Sequence, residues 1–161
     1  MAVAVRRATK ADAEIIARFA MKLVEQHRAY DPIRFAGLGS LDGMANFYGS
    51  QTEAKNAAVF VAEIDGKVVG FAYIGYEARN YVELSEFSAR LHDIYVDESS
   101  RGHRAGKSLI DAAADAALEF GASKLMLSVA AQNSEAQTFF NGSGFRTTML
   151  EMMLTVDQND R

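Results

Sequence analysis

The sequence predicts one mixed α/β domain over residues 1–161. Three observations carry this expectation. Stretches with apolar residues at every second position are interleaved with stretches at helical spacing. Asp65-Gly66 separates two strand patterns, the two-residue signal of a tight hairpin. The chain, at 161 residues, is long enough for a core of its own and short for two domains, and it has no cysteine to staple a smaller one.

In order along the chain, Val3 to Arg7 reads as a short strand. Thr9 stands as a helix N-cap with Asp12 in the first turn, and Ile15, Ile16, Phe19, Leu23 and Val24 continue at helical spacing. The pattern fades between His27 and Tyr30, ahead of Pro32. From 31 to 51, Gly37, Gly39, Gly43 and Gly49 break it, leaving a short helix near 41–48 in what reads as a functional loop or lid. Residues 57–64 and 67–76 are strand patterns, and 87–96 is a third. A helix from about 104 to 120 aligns Leu109, Ala113, Ala116, Ala117 and Phe120, with Gly121 to end it. A strand at 124–129, a short helix at 134–141 and a strand at 149–156 complete the order β-α-α-β-β-β-α-β-α-β.

Charge narrows the function classes. A formal charge of -4 argues against a partner held by nucleic-acid phosphates. No apolar run approaches the ~20 residues that cross a bilayer, and the opening residues lack the apolar core of a secretory signal. A soluble cytoplasmic protein, with no membrane or nucleic-acid partner, is expected. His27, His92 and His103 match no metal spacing, so no metal is expected.

The densest chemistry lies at 101–109, RGHRAGKSL. A helix start offers unpaired backbone N–H groups and the positive end of its dipole. Gly102 and Gly106 let backbone approach a bulky anion, and Arg101 and Arg104 add charge, as a diphosphate cradle requires. The competing reading is a solvated, Arg-rich helix start that binds nothing. The dinucleotide spacing GxGxxG is absent, and the triphosphate loop GxxxxGK(S/T) fails because Arg101 stands where its first Gly belongs.

Arg101, position 104 and Gly106 resemble the Arg/Gln-x-x-Gly-x-Gly/Ala motif of the GNAT superfamily of N-acetyltransferases. Leu91 to Val96 resembles that family's fourth strand. Asn133-x-x-Ala136-x-x-Phe139-Phe140-x-x-x-Gly144-Phe145 resembles its second signature, and VRRATKADAEII its opening strand and helix. The resemblance spans nearly the whole chain. It implies the acyl-CoA N-acyltransferase fold, with a mostly antiparallel central sheet of 6–7 strands flanked by helices. It also implies transfer of acetyl from acetyl-coenzyme A to a primary amine by direct attack, with a small amine of the polyamine type as one acceptor class.

Residue roles follow from the same resemblance. Ile94, Tyr95 and Val96 would hold the pantetheine arm, with backbone near Ile94 facing the thioester oxygen. Arg101, Gly102, His103, Arg104, Ala105, Gly106 and Lys107 would hold the pyrophosphate, and Asn133, Phe139 and Phe140 would line the same cleft. Strand alternation sets His92, Ile94 and Val96 on one face and Asp93 and Tyr95 on the other. His92 is the candidate base, with Asp93 or Glu86 as substitutes, against the alternative of a strand His bonded to neighbouring backbone. The family's thiolate-protonating Tyr is Phe140 here, so Tyr95 or water would supply that proton. His27, Tyr30, Arg34 and Tyr76 are the candidate acceptor-binding residues, with Tyr48 and Tyr81 as further aromatic candidates.

Two departures stand out. Phe140 lacks the hydroxyl, and Arg104 sits where the family has Gly. The second is expected to be tolerated if position 104 is already helical with negative φ. These departures leave open a non-catalytic acyl-coenzyme A-binding regulatory module, and a protein N-acetyltransferase is a further alternative. Dimerisation is common in the family resembled, so a homodimer is among the expectations.

Overall fold

Asp65 and Gly66 both take positive φ, 52° and 75°, as a tight hairpin turn requires. On that turn β2 (Ala57–Ile64) and β3 (Lys67–Glu77) pair antiparallel. The computed structural model describes residues 2–37, 39–157 and 159. Around the hairpin lie β1 (Val3–Arg7), α1 (Ala13–Tyr30), α2 (Leu41–Gln51), β4 (Ser88–Val96), α3 (Ala105–Glu119), β5 (Leu125–Met126) and α4 (Ser134–Gly142). The strands stand in the order β1-β2-β3-β4-β5, antiparallel throughout except for the β4–β5 pair.

The central strands are apolar on both faces because each face is covered. On one face α3 lays Leu109, Ala113 and Ala117 against Ala62, Ala72, Ile74 and Leu91. On the other, Ile16, Phe19 and Ala20 of α1 and Tyr48 of α2 meet Val59, Val61, Phe71 and Tyr95. Burying one such large side chain stabilises the fold by roughly 1.5–3 kcal/mol. Gly121 ends α3 as expected, at φ 83°, with Ala122 N–H donating back to the Ala117 carbonyl. Ser40 caps α2, its hydroxyl accepting from Gly43 N–H at 3.0 Å.

The start of α1 departs from the simple cap. Lys10–Asp12 form a short 3-10 turn, and Asp12, only 7% exposed, is its anchor. The Arg6 guanidinium donates to both Asp12 oxygens at 2.9 Å, and Thr9 N–H donates to one at 2.8 Å. The Arg6 bonds, more than any other influence, hold this carboxyl below its ordinary range.

Among the described residues the strand count is corrected to five. Of the segment 124–129 only Leu125–Met126 is laddered, and 149–156 has no assigned strand and pairs with nothing among the described residues. Both segments carry the expected apolar pattern. A strand, however, exists only where a neighbour completes its hydrogen bonds, and periodicity does not supply the neighbour.

Candidate functional site

β4 carries the decisive irregularity. Tyr73 pairs with Asp93 and Ile74 with Leu91, so His92 is an extra residue, a β-bulge. The bulge corrects the expected alternation. Leu91, Ile94 and Val96 pack toward α3, whereas His92 joins Asp93 and Tyr95 on the α1/α2 face. The His92 ring stacks on Tyr73 at 5.1 Å between centroids. Gly75 makes the space: a Cβ there would lie 2.8 Å from His92 Nε2.

Beside it, the Asp93 carboxylate accepts a 2.7 Å hydrogen bond from the Tyr48 hydroxyl. Burial pushes the Asp93 carboxyl above its ordinary range, while the Tyr48 bond and the nearby His92 and His27 pull it back. Burial lowers the His92 pKa below 6.5, partly offset by the Asp93 charge. Burial first, and Asp93 second, raise both the Tyr48 and Tyr73 hydroxyl pKa values, so both phenols stay protonated. The Tyr73 hydroxyl donates to Gln51 Oε1 at 2.9 Å. The result is a basic imidazole, exposed on one side, next to a partly buried acid against an aromatic wall. Such an arrangement suits a cation that must lose a proton.

The outer edge of β4 opens next to this pair. β5 pairs only with Ala89 and Arg90, so from Leu91 to Val96 that edge has no neighbouring strand among the described residues. At its end the chain turns through a 3-10 segment at 98–100 into α3. Every backbone N–H from Gly102 to Lys107 lacks an acceptor among the described residues. Gly102 has φ 85°, and Gly106 lies in the first turn of α3. Arg101 Nε donates to the Val96 carbonyl at 3.2 Å, tying the cradle to the strand, and Lys107 pairs with Asp111. Free amides, a glycine at positive φ and surrounding cations fit a diphosphate.

Arg104 corrects a second expectation. It is the N-cap of α3 and has φ 69°, in the left-handed region, not a negative φ. An L-residue there costs roughly 1–2 kcal/mol, which Gly would not pay. Arg104→Gly is therefore expected to raise the thermal midpoint by about 2–8 °C. An unchanged or lower midpoint in a thermal melt would show that the guanidinium makes a compensating contact.

The remaining predicted residues fall into two groups. Ala105 is buried in the core below the cradle, and Phe140 is buried against Phe139 and Phe145, while Phe139 reaches Gly106. A Cβ on Gly106 would meet the Phe139 ring at 3.0 Å. Asn133 caps α4, its Oδ1 accepting from Ala136 N–H, and His103 is half-buried within the cradle. Tyr95 turns into the α1 layer, its ring 5.2 Å from Phe19 and under Lys22. His27, Tyr30 and Arg34 come together at the C-terminal end of α1: His27 packs on Phe35 and Tyr30, and Arg34 covers Phe35 and pairs with Glu151. Tyr76 lies apart from them, stacked on Phe87 and tilted against Phe120 on the α3 face. Glu86 pairs with Arg79 in the β3–β4 connection, and Tyr81 is exposed there. Tyr73, Gln51 and Gly75 went unnoticed in the sequence. Their signal is the bulge, which shifts register without leaving a pattern.

Comparison with known proteins bears on this arrangement. The model of the acetyltransferase (GNAT) family matches residues 21–145. The uncharacterized N-acetyltransferase YhfO of Bacillus subtilis is 27% identical over 88% of this chain and 88% of its own. The uncharacterized N-acetyltransferase MJ1207 of Methanocaldococcus jannaschii is 35% identical over 53% of this chain, a match spanning only 38% of that relative's length. Among solved structures, the aminoglycoside N-acetyltransferase AAC(6')-Iy in complex with CoA superposes with a TM-score of 0.78 at 20% identity, covering 96% of this chain and 94% of its own. The last similarity is one of fold.

Proposed function

Because the chain belongs to the acetyltransferase (GNAT) family, we propose that it transfers acetyl from acetyl-coenzyme A to the primary amine of a small molecule by direct attack. The acetyl-coenzyme A-dependent acetyltransferase class comes with the family; the acceptor and the residue roles are our reading. The single observation that carries it is the β4 bulge, which places His92 and Asp93 together beside the unpaired edge of the strand.

Acetyl-coenzyme A, when bound, supplies an activated acyl thioester. The free amides from Gly102 to Lys107, with Arg101 and Arg104, would hold its diphosphate, and the open edge of Ile94 to Val96 its peptide-like arm. An alkyl ammonium with a pKa near 10.4 is less than ~0.1% free amine at neutral pH, so the site must remove a proton. Asp93 draws the ammonium in, and its charge favours the imidazolium that forms when neutral His92 accepts the proton. Tyr48 keeps Asp93 in place. With Phe140 buried and Tyr95 turned away, no side chain need protonate the leaving sulfur, since a thiol of pKa about 8.5 departs as thiolate.

The acidic group beside aromatic rings favours a cationic small molecule. The aminoglycoside acetyltransferase of the same fold makes amino sugars a natural first class, beside polyamines. Thiol release from acetyl-coenzyme A across a panel of polyamines, amino sugars, amino acids and peptide N-termini tests this. Turnover with one of the small amines is expected. Turnover confined to peptides would replace the reading with protein acetylation, and cofactor binding without turnover would replace it with a regulatory module.

A further inference from the structure

Glycine weakens a central strand and gives it nothing to pack. β3 nevertheless holds two glycines inside it, Gly70 and Gly75, for different reasons. A Cβ on Gly70 would lie 2.5 Å from the Tyr95 carbonyl oxygen and 3.2 Å from Val96 Cα, so the backbone of β4 demands that glycine. A Cβ on Gly75 would meet only His92 within 4 Å, at 2.8 Å from Nε2 and 3.2 Å from Cδ2. The backbone of Gly75 is not at positive φ, so an L-residue would fit its conformation. What the missing side chain provides is a seat for the imidazole.

A second contact on that ring is set from α2. Tyr73 stacks on His92, and three residues of α2 fix Tyr73. Phe47 and Tyr48 meet its ring nearly at right angles, at 5.5 Å and 5.8 Å between centroids, and its hydroxyl donates to Gln51 Oε1 at 2.9 Å. The spacing of 47, 48 and 51 puts all three on one side of the helix. Among the described residues no hydrogen bond reaches either nitrogen of His92, so contact alone orients it.

We propose that Gln51 and Gly75 are positioning residues for His92: Gln51 aims the ring through Tyr73, and Gly75 leaves the room in which it sits. Both roles rest on the reading of His92 as the base. They tie the segment 31–51, at the end of α2, to the orientation of the group that receives the proton. The titratable and charged groups around the ring are Asp93 and Arg90 on β4, Glu77 and Tyr73 on β3 and Tyr48 on α2, with His27 of α1 acting on Asp93. Neither Gly75→Ala nor Gln51→Leu alters any of these groups, so a change in the titration of His92 reports where its ring lies.

The test follows the ring and the rate separately. The imidazole resonance of His92, assigned by its loss in His92→Gln, is titrated by NMR in the free protein. In Gly75→Ala the clash falls on the far end of a side chain that can swing outward, so the fold should hold. The ring should leave Tyr73, regain water and titrate nearer 6.5 than in the native chain. With the best acceptor, kcat should fall about tenfold at unchanged KM for acetyl-coenzyme A, and the acidic limb should move to higher pH with the NMR value. Gln51→Leu and Tyr73→Phe should each lower kcat severalfold, and the double variant no further, because both break one bond. Gln51→Leu lies outside the sheet and gives the same NMR readout should Gly75→Ala disturb the strand. An unmoved His92 resonance, or losses in Gln51→Leu and Tyr73→Phe that multiply, would overturn the positioning roles and leave the base reading standing. A displaced ring with native kcat would overturn the base reading, and the positioning roles with it.

Discussion

Replacing His92 by Gln is expected to lower kcat/KM by about 100-fold and to remove the acidic limb of its pH profile. Only the neutral imidazole can accept the proton from the attacking amine. Burial holds the His92 pKa below 6.5, so activity in the native protein should climb as pH rises through that lowered value and then level off. The neighbouring carboxylate supplies a sign check. The Asp93 charge raises the proton affinity of His92, so Asp93→Asn should lower activity and move the limb to still lower pH. The amide oxygen of Asn can still accept the Tyr48 hydroxyl, which keeps the wall intact. A purely structural role would scale the rate without moving the limb. The measurement is kcat/KM against pH for the best acceptor found, and an unaltered profile in His92→Gln would dismiss the imidazole as the base.

Gly106→Val is expected to weaken coenzyme A binding at least tenfold while leaving the fold in place. The position lies within the first turn of α3, among the free amides, and its Cβ would meet Phe139 at 3.0 Å. Val is no worse a helix former than Gly, and Phe139 is exposed enough to move aside, so stability should hardly change. The branched side chain would nevertheless crowd the amides that must reach a diphosphate. Titration calorimetry with coenzyme A, beside a thermal melt, separates the two effects. Native affinity in a folded variant would remove the cradle from the reading.

Much of this architecture was legible because its signals are local. The Asp65-Gly66 hairpin, the Gly121 stop and the α3 face of Leu109, Ala113 and Ala117 are fixed by neighbours within a turn or two. The cradle was legible for the same reason, since a helix start exposes its amides wherever it occurs. Tyr76 shows where such reasoning stops. Its place in the chain put it near the cleft, but strand alternation turns it to the opposite side of the sheet from Tyr73.

By itself, then, the sequence determined which segments are helical or extended, where the sharp turns fall and where amides stand free to meet an anion. The tertiary structure alone decided that His92 shares a face with Asp93, that Arg104 adopts a left-handed backbone, and that 149–156 has no strand beside it among the described residues. The reason is physical. Propensity and periodicity depend on residues close in sequence, whereas register, bulges and strand partners are settled between segments far apart in the chain, where one extra residue turns a side chain to the other face.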